Sequence, residues 1–311
     1  MRVLFLPAWL DGLSRNSASP RIRCEWVARY WDNAEVYDGT QSLAEYEVLV
    51  FQKAYLTTRS LTWANRYRDG KRILLFDLCD PEWLDPRKMG RLLVQLTRMD
   101  AAVVPTKALA GWVSRWLPCY VIPDRLDLAL HLPRDGTEEP YFEGQVGVLW
   151  FGGSQNYPAL EMILPDLLSL DGVRVAVLSD RPIPDDRVAF IQWEDVEQAN
   201  DTIKRFDVVV NPQPPGGIYA YKSDNKTATA HALGVPTAST AGEVARLVEV
   251  GPAVRRAIGE RKRREAEMRY DVRASVVEWQ AVIEDVVTWR AGRSRVARDS
   301  IVRYVKGRGH E

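Results

Sequence analysis

The chain is 311 residues long, 46% hydrophobic and 27% charged, and its 42 basic side chains balance 42 acidic ones. That length and composition suit a soluble globular protein of two domains, and the zero net charge argues against a generally basic nucleic-acid coat. No apolar stretch approaches the roughly 20 residues that span a bilayer, so membrane contact is expected only at the periphery.

The opening stretch, MRVLFLPAWLDG, predicts a first β-strand rather than a signal segment, because Asp11 and Gly12 end the apolar run and no small-residue cleavage site follows. Ser19 and Pro20 then start a helix on which Ile22, Trp26 and Tyr30, four apart, form a stripe suited to packing on a sheet. Arg21 and Arg23 fall in its first turn, where they suit an anion; solvation or pairing with Glu25 suits them as well. The runs EVLVF, RILLFDL, AAVVP and CYVIPD follow, most of them separated by helix-length segments. This is the pattern of βαβ units around a parallel sheet covered on both faces. Ligands collect at the carboxyl ends of such strands, which singles out Asp11, Lys53, Asp77 and Asp80. One of the two later aspartates would orient a hydroxyl or act as a base, and Asp80, ahead of Pro81, equally suits a helix cap. Cys24, Cys79 and Cys119 lack CxxC spacing, so neither a disulfide framework nor a zinc knuckle is expected, and a reducing cytoplasm fits.

Residues 132 to 145, LPRDGTEEPYFEGQ, carry no periodicity and suggest an interdomain linker. The pattern restarts with VGVLWFGG, VRVAVLS, VAFIQW, DVVVNP and VPTAS, which predicts a second α/β domain. Its first strand runs into Gly152, Gly153 and Ser154, where the backbone can approach a ligand closely. GxGxxG is absent, which argues against a dinucleotide oxidoreductase. After DVVVNP comes a Pro- and Gly-rich loop, and then Lys222, Ser223, Asn225 and Lys226 stand at the start of an alanine-rich helix. A helix N-terminus with two lysines beside it makes a phosphate site; a capped surface helix with solvated lysines is the plainer alternative. His131, His231 and His310 are too scattered for a metal cluster, HExxH is absent, and no metal is expected. His231 reads as a packed histidine, and no GxSxG elbow or Cys/His pairing points to a hydrolase.

Val276, Trp279, Ile283 and Val286 mark an amphipathic helix, and WRAGRSRVARDSIVRYVKGRG predicts another with a basic face. With no strand expected after them, these helices must pack on something already built. Residues 251 to 311 hold 15 basic and 9 acidic side chains, so a basic tail follows an acidic body. Such a tail suits anionic lipid headgroups, nucleic-acid phosphates or plain solvation. Seven of the 11 tryptophans lie in the first 120 residues, where their faces suit sugar rings, nucleobases or a core.

Seven stretches, in order, resemble a GT-B glycosyltransferase of the group 1, or family 4, type. SPRIR resembles the family's SSRxR; FQKAY and FDLCDPEW resemble xQK and FDxDD; VVPTKALAGW and VIPDRLDL resemble VxxSxxL and IPNGxD. LWFGGSQN resembles the WxGS turn, and KSDNKTATAHALGVPTAS resembles KSxNKxxEAxAxGxPVxAS. The resemblance implies two Rossmann-like α/β domains facing across a cleft, with C-terminal helices crossing back to the first. The expected boundaries are 1–131 for an acceptor domain, 132–145 for a linker, 146–270 for a donor domain and 271–311 for the returning helices. It implies transfer of a sugar from a nucleoside diphosphate sugar to an acceptor hydroxyl, with retention and without metal or cofactor. Lys226, Lys222 and Asp80 would be catalytic. Gly152, Gly153, Ser154, Gly217, Tyr219, Ser223, Asn225 and Thr229 would hold the donor, and Asp11, Arg21, Arg23, Lys53 and Asp77 would line the acceptor side or cleft. The expected acceptor is a surface glycan or glycolipid, met by a cytoplasmic enzyme that touches anionic membrane through its basic tail. Modification of hydroxylated bases in DNA is one alternative, and a non-catalytic nucleotide-sugar or glycan-binding protein is another. Two positions depart from the family: Thr229 stands where a glutamate binds the donor ribose, and Cys79 replaces one of the paired aspartates.

Overall fold

The apolar runs become two parallel sheets in a computed structural model that describes residues 1–12, 17–291 and 302–303. Among the described residues two units result: Met1–Arg125, Gly217–Ser223, Val272–Ala291 and Val302–Arg303 form the first; Leu126–Gly216 and Asp224–Asp271 form the second.

In the first unit β1 (Val3–Leu6), β2 (Ala34–Val36), β3 (Val48–Gln52), β4 (Ile73–Asp77), β5 (Ala101–Val104) and β6 (Cys119–Val121) are all parallel. β1, β3, β4, β5 and β6 are buried throughout, so each is a continuous apolar run rather than an alternating one. The edge strand β2, with an exposed Glu35 at its centre, escaped that pattern. Side-chain caps start the following helices: Thr57 accepts from Ser60 N–H, Asp85 from Arg87 N–H ahead of Pro86, and Thr106 from Leu109 N–H. Helix Val272–Ala291 belongs to this unit, with Val276, Trp279, Ile283 and Val286 buried and Trp279 edge-on to Phe5 at 5.6 Å. Its Glu278 pairs with Arg125 at 2.5 Å, and its Asp285 accepts from the Tyr120 hydroxyl at 2.6 Å. β12 (Val302–Arg303), where a helix had been expected, pairs in parallel with β6; residues 292–301 and 304–311 of the basic tail lie outside the described residues.

The second sheet contains β7 (Val146–Phe151), β8 (Val173–Ser179), β9 (Ala189–Gln192), β10 (Val208–Val210) and β11 (Thr237–Ala238), in the order β11-β10-β7-β8-β9. Residues 132–145 lie with this unit: Arg134 N–H donates to Leu233, Tyr141 N–H to Arg205, and the Tyr141 ring stacks 4.9 Å from Phe206. Aromatic burial ties this segment down although its composition reads as a linker. Helix Gly251–Arg269 lies so close to the end of helix Asn225–Ala232 that a Cβ on Gly259 would stand 1.9 Å from the Gly234 carbonyl oxygen. Only glycine allows that approach.

Candidate functional site

Strand order reverses in the first unit between β1 and β3, and in the second between β7 and β10. Crevices at such switch points, at the carboxyl ends of the strands, are where doubly wound sheets hold ligands.

At the first crevice Lys53 has φ of 51°, a left-handed backbone that a lysine adopts only under constraint. Its Nζ lies 2.6 Å from Asp80 and 3.0 Å from Glu82, and Asp80 also meets Lys222 Nζ at 2.7 Å. Burial favours the neutral form of Asp80, but the two ammonium groups outweigh it and hold its carboxyl well below the usual range. Burial would likewise lower Lys53; Cys79, Asp80 and Glu82 outweigh it and raise its pKa. Asp80 is therefore an ionised anchor between two lysines, and the helix cap nearby is Asp85. Ser223 Oγ donates to Asp124 at 2.5 Å, the Tyr221 carbonyl accepts from Thr106 at 3.2 Å, and the Tyr221 ring meets Trp83 edge-on at 5.2 Å. Gly217, Tyr219, Lys222 and Ser223, which the sequence grouped with the phosphate helix, are thus packed in the first unit. The carboxylates of Asp80 and Asp124 and the aromatic ring of Trp83 account for the difference.

Four more candidates, Arg23, Asp77, Asp11 and Arg21, make contacts within the first unit. Arg23 is 3% exposed and forks onto Asp77, at 2.7 Å, while also meeting Asp124 and the Ile122 carbonyl. One turn of π-helix over Arg21–Glu25 widens the helix and turns Arg23 inward. Burial opposes its charge, and Asp77 and Asp124 more than restore it, so Arg23 and Asp77 form a buried ion pair rather than an exposed lining. Asp11 accepts the backbone N–H groups of Tyr55, Leu56 and Thr57 and the Thr57 hydroxyl, fixing the loop after β3. Arg21 lies over the Trp26 ring at 5.7 Å, with burial lowering its pKa.

At the second crevice Gly152 has φ of 142°, and a Cβ there would stand 2.7 Å from Cε of Lys226. Lys226 in turn lies over the buried Trp150 ring, 5.1 Å from its centre. One residue earlier on the helix, Asn225 Nδ2 is buried without a hydrogen-bond partner, the kind of donor that a ligand oxygen satisfies. Asn211, at the end of β10, donates to Thr227 at 3.0 Å and steadies the same turn. Ser154 gives both its N–H and its hydroxyl to Asp180, at 2.7 and 2.9 Å. Gly153 has an ordinary backbone and lies against the Gln155 side chain. Thr229 is 8% exposed on the helix. His231 is buried, its Nε2 3.0 Å from the Thr237 hydroxyl; burial, with Lys262 adding to it, lowers its pKa to about 4, which suits a packing role.

The sequence singled out neither Asp124 nor Asp180, although both follow strands and the strand-end rule reaches them. Glu82, buried inside a short 3-10 turn, had no such signal. Among the described residues no three His, Cys, Asp or Glu side chains gather as a metal cage, and no helix is long and apolar enough to cross a membrane.

No family model matches the chain, and no curated protein is similar to it in sequence. Solved structures do match. An α-glucosyltransferase in complex with UDP-glucose and DNA containing an abasic site is 10% identical, with a TM-score of 0.67 over 92% of this chain and 99% of that one. HepE from Anabaena in complex with UDP-glucose is 13% identical, with a TM-score of 0.65 over 92% and 100%. Sucrose-phosphate synthase from Thermosynechococcus elongatus is 15% identical, with a TM-score of 0.59 over 79% and 75%. At such identities the likeness establishes architecture alone: the chain has the two-sheet α/β fold of the GT-B glycosyltransferases, as the ordered motifs implied.

Proposed function

We propose that the protein is a glycosyltransferase that moves a sugar from a nucleoside diphosphate sugar to an acceptor hydroxyl, with retention and without a metal. The observation that carries this reading is the constellation after β7 and β10: a lysine over Trp150, a glycine that gives it room, and an unsatisfied amide donor on the same helix start. Negative charge grows on the β-phosphate as the glycosidic bond breaks. Lys226 and the helix N–H groups, already in place, stabilise that charge, and Asn225 offers one more donor.

The acceptor is a surface glycan or glycolipid on this reading. Its support is the aromatic surface of the first unit, where Trp83 and Trp112 stack at 4.1 Å, Trp112 meets Trp116 at 5.8 Å, and Trp116 is 46% exposed. Such faces suit the apolar side of a sugar ring. A hydroxylated DNA base is the second acceptor class, favoured by the fold match to a glucosyltransferase held with DNA.

Incubation with UDP-, GDP- and dTDP-sugars and candidate acceptors, followed by assay of released nucleoside diphosphate, tests the reading. Release from one donor that depends on a glycan acceptor supports it. Binding of a donor without release from any of them leaves a binding protein instead. Turnover in excess chelator and the anomeric coupling of the product check the metal and the stereochemistry.

A further inference from the structure

Thr229 stands where a donor ribose would otherwise meet a glutamate, and the second unit holds another carboxylate in a position to do that work. Asp180 directly follows β8, the strand next to β7 in the sheet. The two strand ends are stitched together: Ser179 Oγ donates to the Gly152 carbonyl at 2.7 Å, and Ser154 N–H donates to Asp180 Oδ1 at 2.7 Å. Asp180 is thereby held against the same glycine turn that makes room for Lys226.

We infer that Asp180 binds the ribose hydroxyls of the sugar-nucleotide donor in place of the glutamate absent at position 229, an inference that rests on the transferase reading above. In dinucleotide-binding α/β sheets an acidic side chain about 20 residues beyond the phosphate turn takes the ribose hydroxyls, and Asp180 at the end of β8 holds the corresponding place after the Gly152 turn. An ionised carboxylate offers about four acceptor directions. Oδ1 takes Ser154 N–H at 2.7 Å and Oδ2 takes Ser154 Oγ at 2.9 Å, while the single Ser179 Oγ proton goes to the Gly152 carbonyl. One direction on each oxygen remains, with Arg181 Nε 3.8 Å from Oδ2, and the side chain is 51% exposed. Ser154 fixes the orientation of the carboxylate through both its donors, and its N–H keeps the group ionised below the usual carboxylate range. Thr229, neutral and 8% exposed, offers no comparable acceptor.

The test compares each nucleoside diphosphate with its 2′,3′-dideoxy analogue by calorimetry, on the wild type and on Asp180→Asn. The wild type should bind the ribonucleotide about tenfold more tightly, as expected for hydrogen bonds to a charged acceptor. In D180N the two ligands should bind alike, with the loss confined to the ribonucleotide. Ser154→Ala, which keeps the carboxylate, should retain the preference whatever it does to overall affinity. Equal binding of the two ligands by the wild type overturns the inference without any variant. So does an undiminished preference in a D180N protein whose melting shows it folded. In both cases nucleotide binding, and with it the transferase reading, survives. Failure of the wild type to bind any nucleoside diphosphate overturns the transferase reading and this inference together.

Discussion

Gly152 and Lys226 occupy one another's space: the glycine's left-handed backbone leaves vacant the volume where a Cβ would press within 2.7 Å of the lysine's Cε. The lysine is in turn laid over Trp150, a strand residue 1% exposed. A charge that would otherwise move freely is thereby fixed by strand, turn and ring.

Gly152→Ala should therefore act on the lysine rather than on the strand. The lysine must shift, and the φ of 142° becomes strained, at about 1–3 kcal/mol in stability. We expect a folded protein with a modest drop in urea midpoint and donor turnover reduced about tenfold or more, since a misplacement near 1 Å is enough for that. Wild-type turnover in this variant would contradict the placement of Lys226.

Lys226→Ala removes a donor poised where charge develops. The expected cost is about 3–4 kcal/mol in the barrier, seen mainly in kcat rather than in KM. Steady-state kinetics with the donor found active in the panel will measure it. A change confined to KM would assign the lysine to ground-state binding only.

Arg23→Met should destabilise the first unit rather than alter substrate contacts. It leaves Asp77 buried without its guanidinium, an arrangement that costs about 3–5 kcal/mol. The double change Arg23→Met with Asp77→Leu should recover much of that loss, because the orphaned charge is gone. Urea unfolding of the three proteins measures it. A normal midpoint for the single variant, with a raised acceptor KM, would return Arg23 to the acceptor side.

His231 gives the protein an acid-sensitive term of known sign. Its folded pKa, near 4, is below the ordinary value near 6.5, so the unfolded chain binds the proton first. The stability this histidine supports is whole above pH ~6.5 and is lost as pH falls toward the folded value. Urea midpoints of the wild type and His231→Gln should therefore diverge from each other between pH 7 and pH 4, the wild type falling more steeply. Parallel curves would mean that the imidazole is not buried neutral.

How much was legible differs by element. The five interior strands of the first sheet, and the returning helix through Val276, Trp279, Ile283 and Val286, were readable because burial on both faces, or on one stripe, writes itself into local composition. The glycine turn at 152 and the lysine at 226 were readable too, since a strand end and a helix start are local signals. The destination of Lys222 was not: only folding brings Asp80, 142 positions away in sequence, within 2.7 Å of it. Nor was the inward turn of Arg23, which needs a single π-turn and the meeting of Asp77 and Asp124.

The sequence alone determined that two α/β units form and which strand ends carry charge, because hydrophobic periodicity and turn chemistry act over a few residues. Which of those charges remain available to a ligand was decided by tertiary structure alone. Ion pairing and packing depend on distance in space: they neutralised Arg23 and Asp77 in a core, tied Asp80 between Lys53 and Lys222, and set Lys226 and Asp180 against one glycine turn.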